Sequence, residues 1–227
     1  MSQTNKKYLP ERILFCITRD GLVNNKITKD KMKRTIIECI VEAIKIFIKS
    51  KQMINPNHEF ALMSYGSDPQ FHCSFNKDPT QILQKMERIS SYTSLDYQSF
   101  DLVKFFKKID HICKIKTIGQ DDYFYRVILI YTRPNVIPSF NEDFEGFSLF
   151  EKWSQKAFTW DTILIHHKSK GKKNKIEKLF TDFAESFLIK PYFLEDKSCQ
   201  NIYNKMSLLL SHPLQRKSLN EMNPIEF

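Results

Sequence analysis

Arg126-Val-Ile-Leu-Ile-Tyr-Thr-Arg-Pro134 is the stretch that decides the fold. Val127 to Thr132 is an unbroken apolar and β-branched run, flanked by charge and stopped by Pro134. A strand of this composition is covered on both faces, as central strands of parallel sheets are. Arg12-Ile-Leu-Phe-Cys-Ile-Thr18 and Trp160-Asp-Thr-Ile-Leu-Ile-His166 share its character, and a stretch of helical period follows each of the three. That alternation predicts an α/β fold with a doubly wound, mostly parallel central sheet and helices on both faces.

Working outward, residues 11–18 form the first strand, and Thr28 or Asp30 caps a helix running to about Gln52. Its apolar stripe is Met32, Ile36, Ile40, Ile44 and Phe47, and Asn55-Pro-Asn57 stops it. Residues 58–65 read as a second strand and 71–75 as a short antiparallel edge strand. Asp78-Pro79 opens a helix, and a further helix spans 97–113. After the central strand come a short amphipathic stretch at 147–153, a strand at 158–167 and a lysine-rich loop at 168–178. A helix capped by Asn174, a strand at 191–195 and a helix at 199–210 close the domain. The division is a flexible head at 1–10, one domain at 11–211 and a tail at 212–227.

The chain has 227 residues, 41% hydrophobic and 13% aromatic, enough to bury one full core. No run reaches the roughly 18 apolar residues of a membrane span. The polar start, Met1-Ser-Gln-Thr-Asn-Lys-Lys7, lacks the apolar centre of a signal peptide, so an intracellular protein is expected. Cys16, Cys39, Cys73, Cys113 and Cys199 are odd in number and scattered, the pattern of reduced core thiols. The formal charge is +9, and six lysines against one glutamate between Lys168 and Lys178 supply +5 of it. That run has no interleaved aromatic or arginine, so it reads as a solvated loop rather than a nucleic-acid surface.

The element order, with an antiparallel strand third, resembles the von Willebrand factor A domain. A ligand in such a sheet is expected at the carboxyl ends of the strands, where their order reverses. Many members of that family bind a divalent cation there through Asp-x-Ser-x-Ser, a Thr or Asp before the third helix, and an Asp after the fourth strand. This sequence has Thr18-Arg-Asp-Gly-Leu22 at the motif, and its central strand ends in Thr132-Arg133. An arginine opposes a cation and offers no lone pair. Thr18, Asp20, Asp96 and Arg133 therefore read as the ion-paired rim of a degenerate metal site, with neither metal nor cofactor expected.

Pro10-Glu-Arg-Ile, His58-Glu-Phe-Ala-Leu62, Val127-Ile-Leu-Ile-Tyr-Thr-Arg-Pro134 and Ser211-His-Pro-Leu-Gln-Arg216 carry a closer resemblance. They resemble the MERIT family, the A-like adaptor subunits shared by the BRISC and breast-cancer-susceptibility A (BRCA-A) deubiquitinase complexes. The resemblance implies a non-catalytic scaffold that stabilises a complex whose separate zinc metalloprotease cleaves lysine-63-linked ubiquitin chains. It also implies a direct partner, the ubiquitin-E2-variant-like subunit, with the metalloprotease and its pseudo-enzyme scaffold in the same assembly. Roles in the DNA-damage response and DNA repair, and residence in cytoplasm and nucleus, follow as expectations.

Pro213-Leu-Gln-Arg216 is the segment the resemblance assigns to that partner. Its proline limits the conformations lost on docking, and its arginine supplies a planar donor fork. Pro213, Leu214, Gln215 and Arg216 are the candidate contacts, with Ile225 and Phe227 extending them as apolar groups in a polar terminus. Removing the tail after Leu210 is expected to cost the complex and leave the domain folded. The bland alternative is a proline that ends the last helix and an arginine in water.

Enzyme chemistry finds no pattern. His166-His167 lacks a His-Glu-x-x-His context, there is no Gly-x-Ser-x-Gly elbow, and the chain has five glycines, none in a phosphate loop. Cys16 sits in an apolar strand, and Cys73 next to His72 has no patterned base. Two other readings make different demands. A divalent-cation-dependent ligand-binding A domain requires chelator-sensitive binding, and a basic nucleic-acid module requires affinity that falls steeply with salt.

Overall fold

The computed structural model describes residues 9–19, 34–66, 68–90, 100–114, 122–132, 136–139, 153, 157–166, 170–185, 187, 189–197, 199 and 201–217. Six strands form one sheet: β1 (Glu11–Thr18), β2 (Glu59–Tyr65), β3 (Pro69–Asn76), β4 (Phe124–Tyr131), β5 (Phe158–Ile165) and β6 (Phe193–Asp196). Their spatial order is β3-β2-β1-β4-β5-β6, and only β3, at the edge, is antiparallel to its neighbour. β1 is flanked by β2 and β4, so the winding reverses beside it, as the doubly wound expectation requires.

The helices are α1 (Ile36–Ile54), α2 (Thr80–Ser90), α3 (Leu102–Cys113), α4 (Lys170–Glu185) and α5 (Ile202–Leu208). α1 begins where Thr35 takes an extended conformation and accepts from the Glu38 N–H while Glu38 reaches back to the Thr35 N–H, a capping box. The caps expected at Thr28 and Asp30 lie outside the described residues; the described cap is Thr35. Asn55 is extended because Pro56 follows it, and this ends α1. Asp101 caps α3 by accepting from the Val103 and Lys104 N–H groups.

Every residue of β4 and of β5 is buried, which explains why apolar residues dominate both strands. One face of the sheet, with Ile13, Phe15, Ile128 and Ile163, packs on α1, α2 and α5. The other, with Leu14, Cys16, Val127 and Leu129, packs on α3 and α4 through Phe105, Phe106, Trp160 and Phe180. Each such apolar side chain contributes on the order of 1.5–3 kcal/mol by leaving water.

The lysine-rich stretch departs from expectation. α4 starts at Lys170, so residues 170–178 are helix rather than loop, and Asn174 lies inside it instead of capping it. The run still carries Ile176, Leu179 and Phe180 at helical spacing, and burial of Ile176 and Phe180 against the sheet outweighs repulsion among solvated lysines. No described helix is long and apolar enough to cross a membrane.

Candidate functional site

Three strands each carry one fully buried charged residue close to their start: Glu11 in β1, Arg126 in β4 and Asp161 in β5, all 0% exposed. A buried charge without a partner costs several kcal/mol, so the sequence has to pair them. Arg126 joins both acids, its Nε donating to Asp161 Oδ2 at 2.8 Å and its Nη1 to Glu11 Oε2 at 3.1 Å. Lys51, from the last turn of α1, donates to the other Glu11 oxygen. Arg216 Nη2 lies 2.7 Å from Asp161 Oδ1. The result is a row of alternating sign across the sheet: Lys51, Glu11, Arg126, Asp161, Arg216.

This row also anchors the chain after α5. A helix end leaves carbonyls without partners. Arg126 Nη1 donates to Leu209 O at 2.6 Å and Ser211 O at 3.3 Å, and Lys51 Nζ donates to Leu210 O at 3.2 Å. Arg216 Nη2 donates to Lys190 O at 2.8 Å, and its guanidinium lies 3.9 Å over the Tyr192 ring. Tyr192 donates its N–H to Asp161 Oδ1 at 2.7 Å and its hydroxyl to the Lys217 carbonyl. The His212 ring sits 5.1 Å from the Phe124 ring.

Electrostatics keep the acids ionised. Burial alone would raise the Glu11 carboxyl, but Arg126 and Lys51 outweigh it and hold it below the ordinary carboxylate range. Burial likewise opposes ionisation of Asp161, and Arg216 and Arg126 overcome it. His58 and His212 flank the row and are each pushed down to about 4, first by burial, with Lys51 adding to the effect. Both imidazoles are neutral at pH 7.

The candidate contact residues divide. Residues 212–216 form a turn in which the Gln215 and Arg216 N–H groups donate to His212 O at 2.8 and 3.1 Å. Pro213 is buried, Leu214 and Gln215 are exposed, and the Arg216 side chain is 2% exposed. The sequence leads one to expect Arg216 to offer its fork to a partner; here its Nη2 is taken by Asp161 and Lys190 O and its plane lies over Tyr192, while its buried Nε and Nη1 have no hydrogen-bond partner among the described residues. The boundary at 212 does not mark the end of packing either, since His212 and Pro213 are buried and 209–217 close over the ion pairs. Deletion after Leu210 would therefore open the domain as well as remove contacts. Ile225 and Phe227 lie outside the described residues.

At the opposite, carboxyl end of the sheet, Thr18 and Thr132 stitch β1 to the residue after β4. The Thr132 N–H donates to Thr18 Oγ1 at 2.7 Å, and Thr132 Oγ1 donates to Thr18 O at 2.8 Å. Asp20, Asp96 and Arg133 lie outside the described residues. The described part of this rim offers two hydroxyls committed to one another, a poor donor set for a hard divalent cation. Among the described residues no group of three or more His, Cys, Asp or Glu is placed to hold a metal. His166 is buried and meets Glu195 Oε1 at 2.5 Å, while His167 lies outside the described residues. All five cysteines are buried and in no disulfide, and burial raises the thiols of Cys16 and Cys73 away from nucleophilic use.

The paired row was not recognised in the sequence, where Arg126 reads as a flanking charge. Its signal was present: Phe124-Tyr-Arg-Val and Phe158-Thr-Trp-Asp-Thr each set one charge, of opposite sign, inside an apolar strand. In the sheet Asp161 pairs with Ile128, two residues along β4 from Arg126, so both side chains project from the same face.

This architecture is that of a von Willebrand A domain. Solved structures of that fold superpose on it: the SpRpn10 VWA domain with TM-score 0.60 at 12% identity, over 92% of this chain and 99% of that one. A von Willebrand factor type A protein from Catenulispora acidiphila gives TM-score 0.59 at 11% identity, over 92% of this chain and 44% of that one. In sequence the chain is similar to proteins named BRISC and BRCA1-A complex member 1. The Xenopus tropicalis protein is 24% identical over 227 residues, covering 94% of this chain and 69% of the relative. The Homo sapiens protein is 24% identical over 229 residues, covering 94% and 67%. No family model matches the sequence.

Proposed function

We propose that this chain is a non-catalytic adaptor in a multi-subunit assembly of the BRISC and BRCA1-A kind, in cytoplasm and nucleus. One observation carries the reading: similarity to complex members extends over 94% of the chain rather than over one motif. In the finer form of the proposal, the direct partner is the ubiquitin-E2-variant-like subunit of a lysine-63-specific deubiquitinase complex, acting in the DNA-damage response. The adaptor works by mass action, stabilising the partner's complex-competent form without touching isopeptide chemistry.

The C-terminal turn suits this work. Pro213 and Arg216 are fixed to the domain and Leu214 and Gln215 project from it. Such a turn loses little freedom on docking. Leu214→Asp, with the fold intact by circular dichroism, is expected to lose capture of the variant-E2 subunit and the zinc deubiquitinase from native cells. Undiminished capture moves the interface elsewhere, and capture of neither protein by wild type ends the adaptor reading.

A further inference from the structure

His58 and His212 face a single cavity of about 370 Å³ that is also lined by Lys51, Ser211 and Gln215, with the exposed Ile54 among its lining residues. Each ring has its proton placed by the backbone. The Glu11 N–H donates to His58 Nδ1 at 2.8 Å, and the Leu214 N–H donates to His212 Nδ1 at 3.2 Å. A neutral imidazole that accepts at Nδ1 carries its hydrogen on Nε2 and donates there. The Nε2 atoms of His58 and His212 are both buried with no hydrogen-bond partner, and the residues are 2% and 8% exposed. An unmade buried donor costs about 1–3 kcal/mol, and the two residues that carry them line the same cavity.

Lys51 adds a third donor. An ammonium has three N–H groups, and those of Lys51 serve Glu11 Oε1 and Leu210 O, two acceptors. Glu11 lines the cavity too, but Lys51 and Arg126 engage its two oxygens. Lys51, Arg126 and Arg216 are three cations against the two carboxylates of Glu11 and Asp161, so the described row carries a surplus of +1.

We propose that this cavity is a binding site for a single carboxylate, held by His58 Nε2–H, His212 Nε2–H and the Lys51 ammonium. A monoanion neutralises the surplus, whereas a dianion would reverse it. The volume leaves space behind the headgroup, within the range of small-ligand pockets. The carboxylate comes from a free small acid or from an acidic side chain of a bound protein. The site does not rest on the adaptor reading.

Sodium acetate is the first probe, added at constant ionic strength with chloride as the control, to the whole chain labelled with 15N at histidine. Without probe, both rings are expected to show the Nε2–H tautomer. With it, the His58 and His212 Nε2 signals shift together and saturably, and at about ten times Kd the unfolding constant falls about elevenfold. Equal response to chloride, no saturable shift, or an Nδ1–H tautomer overturns the proposal. A Lys51→Met variant, if folded, is expected to bind acetate at least tenfold more weakly; binding of wild-type strength overturns the site. Inorganic phosphate should bind more weakly than acetate, and preference for it overturns the monoanion assignment. Acetate that also weakens capture of a protein partner identifies a protein carboxylate as the source; capture indifferent to acetate identifies a free acid. Acetate binding without partner capture leaves this site standing and removes only the adaptor role.

Discussion

Replacing Arg216 by alanine separates two roles for the same side chain. If the guanidinium is a clamp, its loss is felt by the isolated chain. It would forfeit the contact with Asp161 at 2.7 Å, the bond to Lys190 O at 2.8 Å and the stack on Tyr192 at 3.9 Å. A hydrogen bond to a charged group contributes about 1.5–3 kcal/mol and a desolvated cation–π contact about 2. These are not additive, and Asp161 keeps Arg126 and the Tyr192 N–H, so about 3 kcal/mol is expected in all. That is a little over a hundredfold in the unfolding constant and a fall in Tm of roughly 6 to 12 °C for a chain of this size. Urea melts of both proteins provide the assay, with a lower midpoint at unchanged slope. Asp161→Ala should cost more, on the order of 3–5 kcal/mol, because two buried guanidinium groups then lose their shared acid. The double variant should cost less than the sum of the two. A variant Arg216→Ala that melts within about 0.5 kcal/mol of wild type, as surface substitutions do, refutes the clamp.

Acid is expected to act in two stages. His58 and His212 have folded pKa values of about 4 against the 6.5 of an ordinary imidazole, so the unfolded chain takes up protons first. Stability is full above pH 6.5 and declines as pH falls towards 4. The Glu11 and Asp161 carboxyls are depressed, so their contribution is lost only below the ordinary carboxylate range. Urea midpoints that are flat between pH 7.5 and 4.5 contradict this assignment of the histidines. Thr35→Ala removes the capping box of α1 and is expected to lower stability by about 1 kcal/mol in the same melts; an unchanged midpoint means that the helix is capped by other means. Treating the wild-type chain with a chelator should leave Tm unchanged, since the described rim offers Thr18 and Thr132 already bonded to one another; a fall would revive the cation-dependent reading.

The layered fold is legible in the sequence because burial on both faces writes itself as continuous apolar runs, and β4 and β5 are covered throughout. The Thr35-x-x-Glu38 box is equally readable, but Met32 continues the apolar spacing upstream of it and draws the expected start to Thr28 or Asp30. The lysine-rich start of α4 misled for a related reason: composition reports solvation, while helix formation there follows from Ile176 and Phe180 meeting the sheet. The candidate site was legible only in part. Pro213 to Arg216 marked the right segment, yet nothing local distinguishes an arginine that faces a partner from one that faces Asp161. That choice is made by β5, more than fifty residues earlier in the chain.

The row of ion pairs also orders the protein in time. Glu11 is synthesised first and finds its cations at positions 51 and 126, and Asp161 waits for Arg216. Contacts across such separations form slowly, and a chain emerging from the ribosome cannot complete the last of them until the segment carrying Arg216 is free. Nascent chains stalled before Arg216 would hold an open floor beneath the sheet, with Asp161 and the Tyr192 ring uncovered. Cellular quality control would have in that exposed floor a means of telling an unfinished molecule from a finished one.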